Sequence, residues 1–245
     1  MLTIVCFKWK PKDYWTGISR CEFTGEHVNI LYNMVKRHYH KPFRFVCVTD
    51  DITGIERDVA THPLWDDLAE VQSPMDGWVS CYRRLKIFSK EMAEVFGPRI
   101  LVLDIDTVIV DDVTELWDRP EPFVGIRLHP WSEANGPLNG SYGGAMYLMD
   151  AGAFPEVWDD FDVLNSPQES KHHGFRGSDQ AWISYKLGPE HPVWVVADGV
   201  VSSRQDGLLI KHRTKPGTRI VMFHGRHRPW GKRAQGCAWV RKHWR

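Results

Sequence analysis

The chain has 245 residues, of which 42% are hydrophobic. This size fits one domain of the larger α/β kind, and the apolar fraction is sufficient for a full core, so intrinsic disorder is excluded as the overall state. The 31 basic residues balance the 31 acidic ones, which excludes the strongly basic type of chain that coats nucleic acid.

The charges are unevenly distributed along the chain. Residues 207–245 hold eleven Lys and Arg and no Asp or Glu, which leaves twenty basic against thirty-one acidic residues in 1–206. The final segment also interleaves its cations with Trp239 and Trp244. This composition can lie on anionic lipid, but it is more common in a solvated basic face.

The cysteines indicate a reducing compartment. There are five of them, an odd number, and none shows C-x-x-C spacing, which argues against a disulfide framework and a thiolate zinc site. The first apolar run is too short for a signal sequence, and no stretch approaches the roughly 20 apolar residues of a membrane span. We therefore expect a soluble, cytoplasmic protein.

The first third of the chain has a strand–helix–strand pattern. Leu2 to Phe7 reads as a buried strand, apolar residues then repeat at helical spacing over 28–39 behind a Thr24 cap, and 43–48 reads as a second strand. That strand runs into Asp50 and Asp51, which either hold a nucleotide's base or ribose or form a solvated turn.

The remaining elements continue the alternation of helices and strands. Apolar spacing predicts an amphipathic helix from Leu85 to Val95, stopped by Gly97-Pro98, and the run 100–103 predicts a fully buried strand. We expect an open α/β sheet in one compact domain, with a loop at 162–178. Further strands are predicted at 122–127, 143–149, 193–196 and 219–223.

The motif LVLDIDTVIVDD places two carboxylates at the end of a buried strand. Extended chain puts Asp104 and Asp106 on one side. Two close carboxylates repel each other unless a cation joins them, and Mn²⁺ or Mg²⁺ suits such oxygen ligands. The alternative is that the two residues begin a surface turn.

A second motif, IVMFHGRHRPW, delivers an imidazole in the same way. The apolar strand Ile220 to Phe223 ends at His224, which could complete a set of two carboxylates and one histidine around Mn²⁺. A hydrogen-bonded structural histidine is the alternative. The cations that follow suit a diphosphate; they are Arg226, Arg228, Lys232 and Arg233.

Four motifs in order carry a family resemblance: YRRLK, LVLDIDTVIVDDVTELW, GSDQAW and FHGRHRPW. Over roughly residues 3–230 the chain resembles retaining sugar-nucleotide glycosyltransferases of the glycogenin and bacterial lipooligosaccharide galactosyltransferase type. The resemblance implies a GT-A fold, a single α/β domain with a Rossmann-like, mixed, mostly parallel sheet flanked by helices. It divides 1–245 into a nucleotide-binding half (1–115), an acceptor-side half (116–206) and a basic segment that closes over metal and diphosphate (207–245).

The resemblance also implies residue roles. Asp104, Asp106 and His224 would hold the metal, while Asp179 and Gln180 would flank the reacting carbon of the sugar. Two departures are Ala181, where a second aspartate is common, and Arg228-Pro229-Trp230, where the family has K-P-W. The implied donor-binding positions are Phe7, Lys8, Asp50, Asp51, Arg84, Lys86, Asp104, Ile105, Asn139, Gly225 and Arg228.

The expected activity is metal-dependent transfer of a hexose from a nucleotide sugar, with UDP as the expected nucleotide, to a hydroxyl of a carbohydrate or lipid-linked acceptor. Retention is implied by the resemblance alone. Two alternatives stay open. DIDTVI also fits a haloacid-dehalogenase-like phosphatase with Asp104 as nucleophile, and the substitutions at Ala181 and Arg228 suit a non-catalytic nucleotide- or sugar-binding module.

Overall fold

The computed structural model describes residues 1–10, 23–75, 80–127, 141–225 and 227–245. In these ranges the strands form one sheet in the order β3-β2-β1-β4-β7-β6-β8 and a second in the order β5-β10-β9. The strands are β1 (Leu2–Lys8), β2 (Phe43–Thr49), β3 (Ala60–Pro63), β4 (Arg99–Leu103), β5 (Thr107–Ile109), β6 (Phe123–Ile126), β7 (Gly143–Asp150), β8 (Val193–Trp194), β9 (Val200–Ser202) and β10 (Ile220–Met222).

Helices cover the sheets. They are α1 (Gly25–His38), α2 (Met92–Phe96), α3 (Thr114–Trp117), α4 (Glu156–Asp159), α5 (Ser166–His172), α6 (Asp179–Leu187), α7 (Leu208–Lys211), α8 (Lys232–Gln235) and α9 (Ala238–His243), with 3₁₀-helices at Tyr82–Phe88 and Val196–Asp198. No helix in the described ranges is both long and apolar enough to cross a membrane.

The larger sheet is mixed and mostly parallel. Strand β1 pairs in parallel with β2 and β4, β2 with β3 and β6 with β8, whereas β7 runs antiparallel to β4 and β6. Every residue of β1 is buried, as expected for a central strand covered on both faces. The expected α/β sheet flanked by helices is therefore confirmed.

This topology brings several chain ends to one edge of the sheet. Parallel β1, β2 and β4 all finish there, and antiparallel β7 begins there, with the Asp104 amide donating to the Ala145 carbonyl at 2.8 Å. The smaller sheet adds β9 and β10, which pair in parallel with Ser202 opposite Met222. Polar residues just beyond these strands consequently face a common space.

Two sequence expectations are corrected here. The helix predicted from Leu85 to Val95 is instead a 3₁₀-helix over Tyr82–Phe88 followed by α2, because Ser89 adopts an extended conformation (φ −64°, ψ 150°) and interrupts the helical path. The predicted loop at 162–178 contains α5, which has a proline in its first turn, a favourable position for helix initiation.

Candidate active site

A cavity of about 200 Å³ opens at the edge where the strands finish. Residues that are far apart in sequence form its walls, including Arg84, Asp104, Asp179, Gln180 and His224. The cavity thus combines residues from all four motifs, together with the start of β7 and the end of β9.

The guanidinium of Arg84 forms hydrogen bonds with residues of three elements: the end of β4, the start of α6 and the start of β7. Its Nη1 donates to Asp104 Oδ1 at 2.5 Å, its Nε to Asp179 Oδ2 at 2.7 Å and its Nη2 to the Gly144 carbonyl at 2.5 Å. Arg84 is only 6% exposed. Burial lowers the pKa of Arg84, but Asp179 and Asp104 outweigh that effect and raise the pKa well above its usual value. Arg84 is therefore a permanent buried cation between two carboxylates.

The two carboxylates of the D-x-D motif have different partners. Asp104 binds Arg84, whereas Asp106 Oδ2 accepts from Arg228 Nη1 at 2.9 Å. Burial raises the pKa of both aspartates, and the negative charge of Asp104 contributes to raising the pKa of Asp106 to about 7. Burial and mutual repulsion therefore disfavour the charged form of both carboxylates, and neighbouring cations stabilise that form.

His224 follows β10 and lines the same cavity. Its Nε2 lies 2.7 Å from Ser202 Oγ, which also accepts a hydrogen bond from the Gln205 amide at 3.0 Å. Burial lowers the pKa of His224, and the neighbouring cations Arg204 and Arg228 add to this effect. The lowered pKa favours the neutral form of the imidazole.

The residues fit a divalent cation by their chemistry. Two carboxylates and a neutral imidazole supply the oxygen and nitrogen donors that Mn²⁺ accepts. Among the residues that the structure describes, however, no three His, Cys, Asp or Glu side chains are grouped closely enough to hold a metal ion. The carboxylates are paired with arginines instead, so the ligand set stays a prediction.

The Gln180 amide is held in a fixed orientation at the start of α6. Its Oε1 accepts from the Gly144 amide at 3.2 Å, and its Nε2 donates to the Arg176 carbonyl at 3.2 Å. A side chain at Gly144 would come within 2.9 Å of Arg84, and one at Gly177 (φ +113°) within 2.8 Å of the Gln180 amide. These glycines leave room for the amide beside Arg84 and Asp179.

Lys8 and Asp51 pair at the ends of β1 and β2. Lys8 Nζ is 3.4 Å from the Asp51 carboxylate and donates to the Asp51 carbonyl, and Lys8 is only 4% exposed. Asp51 Oδ1 accepts from the Thr53 amide at 2.9 Å. These hydrogen bonds, together with Lys8, lower the pKa of Asp51 to about 2. Asp51 thus stabilises the loop that follows β2, whereas Asp50 is exposed to solvent.

We expect Asp51→Asn to make the stability of the fold depend less steeply on pH under acidic conditions. A carboxyl with a lowered folded-state pKa stabilises the fold above its unfolded value near 4. That contribution disappears as the pH falls toward about 2. Thermal unfolding followed between these pH values should show a smaller loss of Tm in Asp51→Asn than in the wild type. Asp50→Asn is the matched control and should retain the wild-type slope; equal slopes in all three proteins would contradict the assignment.

Four other predicted donor-binding residues, Phe7, Ile105, Lys86 and Gly225, are not among the residues that line the cavity. Phe7 packs edge-on against Trp9 and Trp65, and Ile105 is a core residue. Lys86 Nζ is 2.8 Å from Asp67 Oδ2 and is not among the cavity-lining residues. For these three, the side chains point to structural roles. Asn139 falls outside the described residues, and Gly225 is exposed with φ +71°.

Sequence reasoning missed the residues contributed by the β9 end and the glycine turns. Ser202 and Gln205 line the cavity beside His224, but neither belongs to a recognisable motif. Trp230 stacks on His27 of α1, with ring centroids 4.0 Å apart. The tryptophan of the R-P-W tripeptide thereby anchors the segment that carries Arg228.

The sequence matches no protein-family profile and no curated protein. Comparison of structures does find relatives. The fold is similar to that of galactosyltransferase LgtC in complex with donor and acceptor sugar analogues, with a TM-score of 0.64 and 15% sequence identity over 98% of this chain and 93% of that one. An active-site mutant of LgtC gives a TM-score of 0.62 at 14% identity, with the same coverage of both chains.

A second similar structure is the apo form of glycosyltransferase GlyE from Streptococcus pneumoniae TIGR4. Its TM-score is 0.57 at 11% identity, covering 99% of this chain and 60% of that chain. Together these matches confirm the GT-A fold that the motifs implied. They give no support to the phosphatase alternative.

Proposed function

We propose that the protein is a glycosyltransferase that moves a hexose from a nucleotide sugar, with UDP as nucleotide, to a hydroxyl of a carbohydrate or lipid-linked acceptor with retention. One observation carries the proposal: in a GT-A fold, Asp104, Asp179, Gln180 and His224 line one cavity around the buried cation Arg84. The LgtC structure with donor and acceptor analogues supports a sugar substrate.

The chemistry requires stabilisation of charge at both ends of the bond that breaks. Negative charge grows on the departing diphosphate, and Arg228 is the cation on the closing segment that would meet it. Mn²⁺ or Mg²⁺ bound by Asp104, Asp106 and His224 would supply Lewis-acid stabilisation of the same charge. Arg228 in place of the family's lysine adds a planar, forked donor suited to phosphate oxygens.

The sugar side of the cavity is anionic and polar. As the anomeric carbon becomes cation-like, the Asp179 carboxylate and the Gln180 carbonyl oxygen would stabilise it. Asp179 is held by Arg84, and Gln180 by the Gly144 amide, so neither side chain has to reorganise during the reaction. This preorganisation is the main contribution that the protein itself makes to the transition state.

Peripheral binding to an anionic membrane remains part of the proposal, in a narrower form. Trp239 and Trp244 are 9% and 7% exposed, and Trp244 packs near Trp230 with centroids 5.8 Å apart. The tryptophans therefore belong to the core and would not insert into lipid. The exposed cations Arg241 and Lys242 supply an electrostatic attraction only.

We expect Asp106→Ala to abolish Mn²⁺-dependent binding of UDP while the protein stays folded. Titration calorimetry with UDP, with and without Mn²⁺, measures this, and circular dichroism reports the fold. Asp111→Ala is the matched control, because it removes an exposed acid five residues away and should bind like the wild type. Unchanged UDP affinity in Asp106→Ala would remove the metal assignment.

Turnover assays separate the proposed function from its alternatives. Incubation with a panel of UDP-sugars and Mn²⁺ should give transfer or slow donor hydrolysis. Phosphate release from simple monoesters would instead indicate a phosphatase. Binding of UDP-sugars without any turnover would indicate a binding module and contradict the enzymatic proposal.

A further inference from the structure

Ser178 is the N-cap residue of α6, immediately before Asp179, yet its side chain makes no capping hydrogen bond. Serine at an N-cap usually accepts a hydrogen bond from an amide in the first turn of its own helix. The Ser178 hydroxyl instead accepts from the Cys81 amide at 2.9 Å and donates to Asp179 Oδ1 at 3.3 Å. This buried hydroxyl, on a residue that is 5% exposed, therefore connects another element of the fold to a carboxylate of the cavity.

We propose that Ser178 is a positioning residue that fixes the plane of the Asp179 carboxylate for the transfer reaction. The inference rests on the proposed function, because that function is what assigns Asp179 to the side of the anomeric carbon. None of the roles implied by the family resemblance falls on Ser178. Its role is exerted through Asp179 and requires no contact of its own with the substrate.

The two oxygens of the Asp179 carboxylate have different partners. Arg84 Nε and Nη2 both approach Oδ2, at 2.7 and 2.6 Å, so the guanidinium holds one oxygen of the pair. Two parallel bonds to two oxygens would fix the carboxylate plane, whereas a contact to one oxygen lets the other swing. The Ser178 hydroxyl supplies a bond to Oδ1, and this bond determines the plane.

The same hydroxyl sets the position of α6 relative to Arg84. The Cys81 amide that it binds is at the start of the 3₁₀-helix that carries Arg84, and the Cys81 carbonyl accepts from the Arg84 amide at 3.0 Å. The bridge therefore joins the beginnings of the two elements that supply the cation and the carboxylate. Such positioning matters because a displacement of about 1 Å in an active site lowers a rate by up to about 100-fold.

Steady-state assays with the best UDP-sugar test the role. We expect S178A to lower kcat about tenfold, because the carboxylate is misdirected, and to change the KM of the donor by less than about twofold. S178T keeps the hydroxyl and should retain kcat within about threefold of the wild type. A folded S178A with wild-type kcat, or an S178T as slow as S178A, would overturn the inference.

A double-mutant cycle with Asp179 shows whether Ser178 acts through that residue. In the D179N background we expect S178A to lower kcat by less than about twofold, because two residues that act as a unit are not additive. A purely structural role, or a direct contact between Ser178 and the sugar, would lower kcat by the same factor in both backgrounds. Equal factors would therefore contradict positioning.

Ser170→Ala is the matched control. Ser170 is also fully buried, and its hydroxyl donates to the Pro167 carbonyl at 3.2 Å within α5. The variant removes an equally buried serine hydroxyl that does not line the cavity, so kcat should stay within about twofold of the wild type. A loss of kcat equal to that of S178A would attribute the effect to general destabilisation and overturn the inference.

Crystal structures of the wild type and S178A separate the inference from the proposed function. We expect the Asp179 carboxylate to turn in S178A while Oδ2 stays on Arg84; an unchanged carboxylate overturns the positioning role whatever the activity. If the carboxylate turns but the wild type processes no UDP-sugar, the proposed function is wrong and the positioning contact stands. If S178A does not fold, S178C decides: its thiol is a weaker donor, so kcat should fall, and wild-type kcat would overturn the inference.

Discussion

Replacing Arg84 by methionine should lower the free energy of unfolding by about 3–5 kcal/mol, the range expected when one partner of a buried ionic group is removed. The substitution would leave Asp104 and Asp179 facing each other without their shared cation and the Gly144 carbonyl without its donor. Urea denaturation monitored by tryptophan fluorescence measures the loss. This is the largest effect on stability that we expect from a single substitution in the cavity.

The adjacent residue of the YRRLK motif gives a control. Arg83 also donates to a backbone carbonyl, that of Trp65, and lies 3.7 Å from the exposed Asp66. Arg83→Met breaks these contacts but uncovers no buried carboxylate pair, so we expect a loss of about 1 kcal/mol. Adding Asp179→Asn to Arg84→Met should recover part of the stability. Equal losses for the two arginine variants would show that burial of the carboxylates is not the cause.

The largest effect on catalysis is expected at Asp179. Asp179→Asn keeps the shape of the side chain and a hydrogen-bond acceptor for Arg84, but removes the negative charge from the part of the cavity that we propose holds the sugar. Removal of one preorganised electrostatic contact to a transition state costs about 10²–10³ in kcat. We expect that loss in kcat for sugar transfer, with a much smaller change in the KM of the donor, in steady-state assays with the best UDP-sugar.

Asp150→Asn is the matched control for this substitution. Asp150 ends β7 and pairs with Arg99 at 2.8 Å, at the end of these strands that is distant from the cavity, so its loss should leave kcat within about twofold of the wild type. Circular dichroism and thermal unfolding must show that Asp179→Asn is folded. A folded variant with wild-type kcat would exclude Asp179 from the reaction.

The position of the D-x-D aspartates could be predicted because the signal is local. A run of apolar residues, β4, is followed directly by Asp104 and Asp106, and the end of a buried strand in an α/β sheet faces the ligand-binding edge. The same reasoning applied to His224 after β10. Local hydrophobic patterning likewise predicted α1 and the two strands on either side of it.

The break after Phe88 could not be predicted in this way. Apolar spacing from Leu85 to Val95 matched a continuous helix, but the chain is extended at Ser89. The 3₁₀-helix buries Arg84 toward Asp104 and Asp179, twenty and ninety-five residues away in the sequence. That requirement for long-range pairing overrides the local preference for a continuous helix.

The sequence by itself indicated the alternation of strands and helices and which acids and imidazole follow buried strands, because hydrophobic periodicity and the residues next to strands are local properties of the chain. The GT-A type of fold came from the resemblance of the four motifs. Only the tertiary structure decided the partners: Arg84 between Asp104 and Asp179, Arg228 on Asp106 and Ser202 on His224. Such pairings join residues far apart in sequence, and burial makes each charge depend on whichever counter-charge the fold brings within a few ångströms.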